Sequence, residues 1–406
     1  MASEIPKLED LLGSHLQGEI LSQNVSRLTA PGENYGSLML NVDIKVRNHD
    51  GKEEIIHAVA KCVPPNKKMQ EVFNTPLTFI NEIGWYQEAI PALKAFEREQ
   101  GAKVADYYTE IFGARTSLDD NKKEVDDGGV LLLENLMHKG FKNANRILGF
   151  NEFQTKIAIQ GLASFHASTL ALKLLKPKEF ENKVKKFVRI ETILDPEFSL
   201  ELFEPAFKIM ENDPESAKAV PKIRALVQYL KSEASADQTS QCREPWATVL
   251  HTDFWVNNIM LKEENNVPSK VIILDLQTCG FGSSVQDLLF LLGTSVQTNV
   301  AKELFDCFID FYYKELIANL KNLKVSTKQF SYESFQKELK LEALPQLFHI
   351  MFFIPIVLAH KDNVKDVTDE DFDPRNDLFR IFQNITQEQK EKYVYIAKIF
   401  LNHNWL

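Results

Sequence analysis

The chain has 406 residues, with 47 Lys and Arg against 57 Asp and Glu, for a formal charge of −10. Its composition is 44% apolar and 26% charged, the balance of a globular protein with room for two lobes and a sizeable core. The acidic excess argues against nucleic acid as a partner, because phosphate-backbone binding draws on clustered Lys and Arg.

The first predicted elements are strands over residues 19–28, 37–47 and 54–63. Asp50-Gly51 falls between the second and third, a strong signal for a hairpin. Pro64-Pro65 ends the third strand. A helix follows over residues 76–100, with Phe79, Ile83, Tyr86 and Ile90 on one face. Two more strands are expected at 107–114 and 130–133, joined by a charged, solvated tip over residues 118–129. A long helix over 151–175 places Phe153, Ile157, Leu162, Phe165 and Leu170 toward a core. Residues 178–238 are mixed and mostly helical in pattern. Short apolar segments at 246–260 and 270–276 flank the turn Glu263-Glu264-Asn265-Asn266, and from Val285 onward the pattern is helical. The reading is an α+β chain: a sheet-rich N-terminal lobe over residues 1–136 and a larger helical C-terminal lobe over 137–406. Lobes joined near Leu136 make a cleft, the usual place for a small ligand.

Moving a phosphoryl group asks a protein for positioning, charge neutralisation and orientation of the attacking hydroxyl. Each need has a candidate here, in order along the chain. His251-x-Asp253-x4-Asn258 sets a carboxylate and a carboxamide five residues apart between two apolar segments. Asp253 can take the proton of a hydroxyl, with His251 beside it in the catalytic set. Asn258 can ligate magnesium, and Asn257 is its rival. Val271-Ile272-Ile273-Leu274 delivers Asp275 at a strand end, 22 residues after Asp253, a spacing that a hairpin satisfies. A carboxylate there suits a second metal ligand. Lys61 interrupts the apolar strand Ala58-Val59-Ala60-Lys61-Cys62-Val63 and calls for a charged partner. Glu82 on the next helix is preferred, with Glu88 and Glu71 as rivals. The loop Pro31-Gly32-Glu33-Asn34-Tyr35-Gly36-Ser37 can bring the backbone of Asn34, Gly36 and Ser37 to phosphate oxygens. Leu131-Leu132-Leu133-Glu134-Asn135-Leu136 can offer backbone groups near Glu134 and Leu136 to an adenine edge. His166 reads as a satisfied core or supporting histidine, and Asp287 as a tether for the catalytic loop.

This ordered set resembles the kinase-like phosphotransferases that include aminoglycoside phosphotransferases and choline kinases. Leu133-Glu134-Asn135-Leu136, Leu162-Ala163-Ser164-Phe165-His166-Ala167, Leu250-His251-Thr252-Asp253-Phe254-Trp255-Val256-Asn257-Asn258 and Asp275-Leu276-Gln277 look like the ecdysteroid kinase-like (CHK kinase-like) family, over residues from about Gly32 to past Leu292. The resemblance implies a protein-kinase-like bilobal fold and phosphorylation of a small alcohol by ATP with Mg2+. The named substrates are ecdysteroids, and roles in hormone inactivation or detoxification are suggested. Asp253 would be the base, Asn258 and Asp275 the metal ligands, and Lys61 with Glu82 the phosphate clamp. Two other readings share this scaffold: an inert kinase-like ligand-binding protein, and a kinase of the choline or aminoglycoside type. The chain departs from the family at Leu276, where Phe is usual. Thr252 stands where protein kinases carry Arg, and no Ala-Pro-Glu segment follows Asp275, so neither a protein substrate nor activation-loop control is expected.

Cys62, Cys242, Cys279 and Cys307 are spaced too widely for a disulfide framework or a structural zinc site. The opening Met1-Ala2-Ser3-Glu4-Ile5-Pro6 has no basic and apolar leader pattern. The most apolar run, residues 347–359, is short for a bilayer, contains His349 and Pro355, and suits a core helix. The expectation is a cytoplasmic protein with no membrane and no obligate protein partner.

Overall fold

A computed structural model describes residues 4–29, 37–119, 122, 124–188, 196–230, 243–265, 267–359 and 372–406. Its N-terminal part is built on a five-stranded antiparallel sheet of β1 (Gly18–Arg27), β2 (Leu38–Asn48), β3 (Glu53–Cys62), β4 (Ile111–Arg115) and β5 (Val130–Glu134), in the order β1-β2-β3-β5-β4. The β2–β3 hairpin turns as expected at Asp50-Gly51. Gly51 adopts φ 81°, which few other residues tolerate. Side chains alternate across the pleat. Leu40, Val42 and Ile44 of β2, Ala58 and Ala60 of β3 and Leu132 of β5 form one buried face. It is closed by Leu8, Leu11 and Leu12 from a short helix, Leu8–Leu12, that precedes the sheet. The opposite face carries Met39, Val59, Lys61 and Leu133 to the cleft.

The helix expected over 76–100 is one helical run from Thr75 to Gln100, interrupted by a π-turn at Trp85–Ala89. The strand expected at 107–114 is shorter. Tyr107 and Tyr108 leave the sheet and join the strand that ends at Ile273: Ile273 N–H donates to the Tyr107 carbonyl at 2.8 Å, and Tyr108 pairs in parallel with Ile273. Only Ile111–Arg115 pairs with β5, across a bulge between Ile111 and Gly113.

Beyond β5 come two small sheets and the helices. β7 (Ala247–Leu250) pairs with β10 (Gly280–Ser283), and β6 (Phe141–Asn143), β8 (Ile259–Glu264) and β9 (Val267–Ile273) form the other. The apolar stretch 246–260 therefore divides into β7, a loop and β8, and β9 ends at Ile273 rather than at Leu276. Helix Glu152–Leu175 starts at a capping box in which Asn151 and Gln154 satisfy each other's backbone N–H groups. It buries Leu162, Phe165 and Leu170, while Phe153, expected inside, is exposed in the first turn, short of the core. Helices Val285–Thr294, Thr298–Asn322 and Tyr332–Val357 complete the core that surrounds it. The apolar run at 347–359 belongs to Tyr332–Val357, a helix of 26 residues that is long and apolar enough to cross a membrane by those measures alone. Most of its apolar window is buried within the protein, as a core helix requires.

Candidate active site

The expected loop His251–Asn258 runs from β7 to β8, and Asp275 follows β9, the other arm of the β8–β9 hairpin. That hairpin is why 22 residues separate two carboxylates that meet in space. Both segments hold non-glycine residues in the left-handed region: Thr252 at φ 65° and Asp275 at φ 64°. For a β-branched Thr this is costly, and it persists because its surroundings leave no alternative. Thr252 Oγ1 donates to the Thr278 carbonyl at 2.7 Å. The backbone N–H groups of His251 and Thr252 donate to the two carboxylate oxygens of Asp287 at 2.7 and 2.9 Å.

Asp287 thus tethers the loop, as its position suggests. It is held in turn by His166, whose Nε2 lies 3.0 Å from Asp287 Oδ2 and whose Nδ1 lies 2.7 Å from the Tyr312 hydroxyl. Burial works against the Asp287 charge, but His166 and the neighbouring His251 outweigh it and hold this carboxyl below its usual range. His251 is fully buried and does not reach the cleft. Its Nε2 faces the Leu274 carbonyl at 2.8 Å, an acceptor, so Nε2 carries the hydrogen. Burial lowers its pKa, against the pull of Asp287. His251, expected in the catalytic set, braces the loop against the β9 end and lies off the cavity wall.

Asp253 is half-buried on the cavity wall. Its Oδ2 accepts from Asn258 Nδ2 at 2.8 Å, and the same amide donates to the Asp253 carbonyl at 2.9 Å. Its Oδ1 is shielded from solvent and has no partner. Burial first, then the nearby Asp275, push the Asp253 carboxyl up to about 7, against the opposing help of Asn258. With both N–H bonds of its amide turned to Asp253, Asn258 keeps its oxygen for another ligand. The rival Asn257 also lines the cavity, and its carbonyl accepts from Asn143 Nδ2 at 2.8 Å.

Lys61 is 3% exposed and bonds two carboxylates: Glu82 Oε2 at 2.5 Å and Asp275 Oδ1 at 2.7 Å. The structure therefore brings Lys61 to Glu82. The rival Glu88 pairs with Lys183 and Lys186 on the surface, and Glu71 is exposed. The contact with Asp275 was not foreseen. No pattern in the sequence announces a pair 214 positions apart. Burial disfavours the Lys61 ammonium, yet Asp275 and Glu82 more than compensate and raise its pKa. Glu82 is pushed upward by burial, with Lys61 pulling the other way.

Lys61, Glu82, Asp253, Asn258 and Asp275 share one cavity of about 1060 Å³ with Glu134 and Leu136. The N–H of Glu134 donates to the Glu110 carbonyl and that of Asn135 to the His57 carbonyl, both at 3.0 Å. Any N–H that residues 134–136 offer to a base edge is thereby narrowed to that of Leu136. The Glu134 side chain pairs with Lys139. Ser37 is buried ahead of β2 rather than on the cavity wall, and Asn34 and Gly36 lie outside the described residues.

Hard oxygen donors on one wall suit a divalent cation such as Mg2+. Asp275 and the Asn258 amide oxygen are those donors, and the neighbouring Lys61 suits phosphate. The far wall is different in kind. Helix Tyr332–Val357 lines it with Gln346, His349, Phe352, Phe353 and Ile356, facing Trp255 of the loop. The His349 ring stacks on Phe290 at 4.3 Å, its Nδ1 is 2.9 Å from Gln346 Nε2, and burial brings its pKa down to about 4.

The sequence matches the ecdysteroid kinase-like family over residues 31–325. No curated protein matches it. Among solved structures it is similar to an ethanolamine kinase of Plasmodium vivax, with 8% identity, a TM-score of 0.43 and coverage of 95% of this chain and 85% of that one. An amicoumacin kinase in complex with AMP-PNP, Ca2+ and Ami is similar at 11% identity and a TM-score of 0.40, covering 98% and 93%. A GDP complex of an aminoglycoside 2'-phosphotransferase is similar at 12% identity and a TM-score of 0.41, covering 88% and 93%.

Proposed function

Because the chain belongs to the ecdysteroid kinase-like family, we propose that it is an ATP- and Mg2+-dependent small-molecule kinase that phosphorylates a hydroxyl of an ecdysteroid or a similarly apolar alcohol. The observation that carries this reading is a single cavity in which Lys61, paired with Glu82 and Asp275, faces the Asp253–Asn258 pair. Lys61 would hold the phosphates of ATP, kept charged by its two carboxylates. Asp275 and Asn258 would hold Mg2+, which when bound neutralises phosphate charge. Asp253, with one free oxygen and a pKa near neutrality, can accept the proton of an alcohol at physiological pH.

The preference for an apolar acceptor rests on the wall of Trp255, Phe352, Phe353 and Ile356. A hydrocarbon ring system would bury its surface there at little polar cost. We place the activity in hormone inactivation or detoxification, in the cytoplasm where ATP is supplied.

The test is a mass-spectrometric screen with Mg-ATP against ecdysteroids, other sterols, choline and plant glycosides. Gain of one phosphate on a sterol or ecdysteroid is the expected result. Gain only on choline would place the chain with cation-directed kinases, and no thermal stabilisation by Mg-ATP would make it an inert binder. Asp253→Asn should abolish transfer and leave that stabilisation in place. A fully active variant would remove Asp253 from the role of base.

A further inference from the structure

Away from the cavity, Asp43, His57 and His138 bring one carboxylate oxygen and one nitrogen from each ring within 4.8 Å of one another. None of the three lines the cavity. Asp43 and His57 are cross-strand partners on β2 and β3, so the register of the hairpin sets them side by side. His138 comes from the turn Leu136–Lys139, where the chain leaves the sheet for the C-terminal lobe. His57 Nδ1 lies 2.7 Å from Asp43 Oδ1, a carboxylate oxygen, so Nδ1 carries the hydrogen. The His138 ring stacks on that of His57 at 3.5 Å, with 6° between their planes. The Asp43 and His57 side chains are 31% and 33% exposed and His138 is exposed, so an ion from solvent can reach all three.

A second layer holds this group in place. Asn135 is buried; its N–H donates to the His57 carbonyl at 3.0 Å and its Nδ2 donates to Asn41 Oδ1 at 2.8 Å. Asn41 Nδ2 in turn donates to the other Asp43 oxygen, Oδ2, at 3.4 Å. Outer partners of this kind fix the direction of a ligating carboxylate. Lys139, beside His138 in the chain, is engaged by Glu134 Oε1 at 2.5 Å.

We propose that Asp43, His57 and His138 bind a divalent transition-metal ion of the zinc class. Two imidazoles and a carboxylate are a zinc ligand set, with water in the fourth position. Imidazole nitrogen disfavours Mg2+ and Ca2+, so this site differs in kind from the oxygen donors of the cavity. To ligate through Nδ1, His57 passes its hydrogen to Nε2 and stays neutral. Stacked rings aim their nitrogens side by side, and the His138 ring turns off the stack to meet the ion, a rotation open to an exposed side chain. The bound ion joins β2 and β3 to the connection between the lobes. The assignment stands apart from the kinase reading, since it uses no residue of the cavity.

The experiment titrates ZnCl2 into the EDTA-treated full chain by calorimetry, with Mg2+ in excess throughout. One site of micromolar affinity is expected, with a rise in melting temperature on zinc addition. His138→Ala, at an exposed position, and the double variant His57→Gln with His138→Gln should lose that step and the rise. Asp43→Asn should weaken binding by at least about 10-fold. His403, whose Nε2 lies 2.7 Å from Asp306 Oδ1 on the surface, is the control for adventitious zinc, and His403→Ala should leave the step intact. Binding only at millimolar zinc, unchanged affinity in the double variant, or loss of the step in His403→Ala overturns the assignment. If the double variant does not fold, wild type and His138→Ala decide. One equivalent of Zn2+ must shift two of the nine histidine ring resonances of wild type, one of them the resonance missing from His138→Ala, and any other outcome overturns it.

Discussion

Two aspartates of the site, Asp287 and Asp253, are driven to opposite ends of the carboxylate range by their surroundings. Asp287 sits among His166 and two backbone N–H groups and is held below the ordinary carboxylate range. Asp253 is raised to about 7 by burial first and then by the neighbouring Asp275. The first is suited to tether, the second to exchange a proton. If Asp253 is the base, kcat should rise with pH to a plateau, with a midpoint near 7, because only the ionised carboxylate accepts a proton. A midpoint near 4 would contradict this. The same shift acts on stability. The folded pKa lies above the unfolded value, so the contribution of Asp253 is fully present below the unfolded pKa and is lost as pH rises through about 7. Asp253→Asn should therefore raise the melting temperature relative to wild type at pH 8 more than at pH 5, while removing transfer at both.

At the scale of elements, the β8–β9 hairpin is the device that delivers Asp275 to Asp253. It is seated on helix Glu152–Leu175 at Gly161, where a Cβ would come within 2.8 Å of Val271 Cγ1. Close helix-to-strand contact is what the missing side chain permits. Gly161→Leu should push β9 outward, cost about 1–3 kcal/mol in chemical denaturation, and lower transfer through displacement of Asp275. Unchanged stability and rate would show that β9 is not held from this side. On the other lobe, the π-turn at Trp85–Ala89 follows directly on the helix that carries Glu82. Such turns let a helix change the face it presents. Here Glu82 reaches the cleft before the turn, while Phe79 before it and Leu93 and Phe96 after it are buried in the main core.

At the scale of the molecule, the two ends of the cavity belong to different parts of the chain. On the kinase reading proposed above, the phosphate end would be made by the sheet and the β8–β9 hairpin and the acceptor end by helix Tyr332–Val357. Arg146, which follows β6, ties this helix in place. Its guanidinium donates to the carbonyls of Ile356, Val357 and Ala359 at 3.0, 2.6 and 2.7 Å. These include carbonyls that a helix end leaves without internal partners. Arg146→Ala should raise KM for the acceptor several-fold with KM for ATP unchanged, and cost about 1–2 kcal/mol of stability. Equal changes in both KM values would mean that the helix supports the whole cavity rather than its acceptor end.

The sequence by itself determined the sheet-then-helix order, the β2–β3 hairpin at Asp50-Gly51, and the short list from which the site is drawn. Those signals are local: alternation, a turn dipeptide, a Lys in an apolar strand, a carboxylate at a strand end. Tertiary structure decided everything that depends on distant partners. It chose Glu82 over Glu88, bonded Lys61 to Asp275 as well, buried His251 against the Leu274 carbonyl and off the cavity wall, and sent Tyr107 and Tyr108 to β9 instead of β4. It also assembled the aromatic wall of Trp255, Phe352 and Phe353, for which no motif exists. Trp255 and Phe353 are ordinary aromatic positions until the fold sets a loop of one region against a helix nearly a hundred residues later. Local pattern limits what each residue can do, and the meeting of remote segments in a cavity of low polarity settles which of them do it.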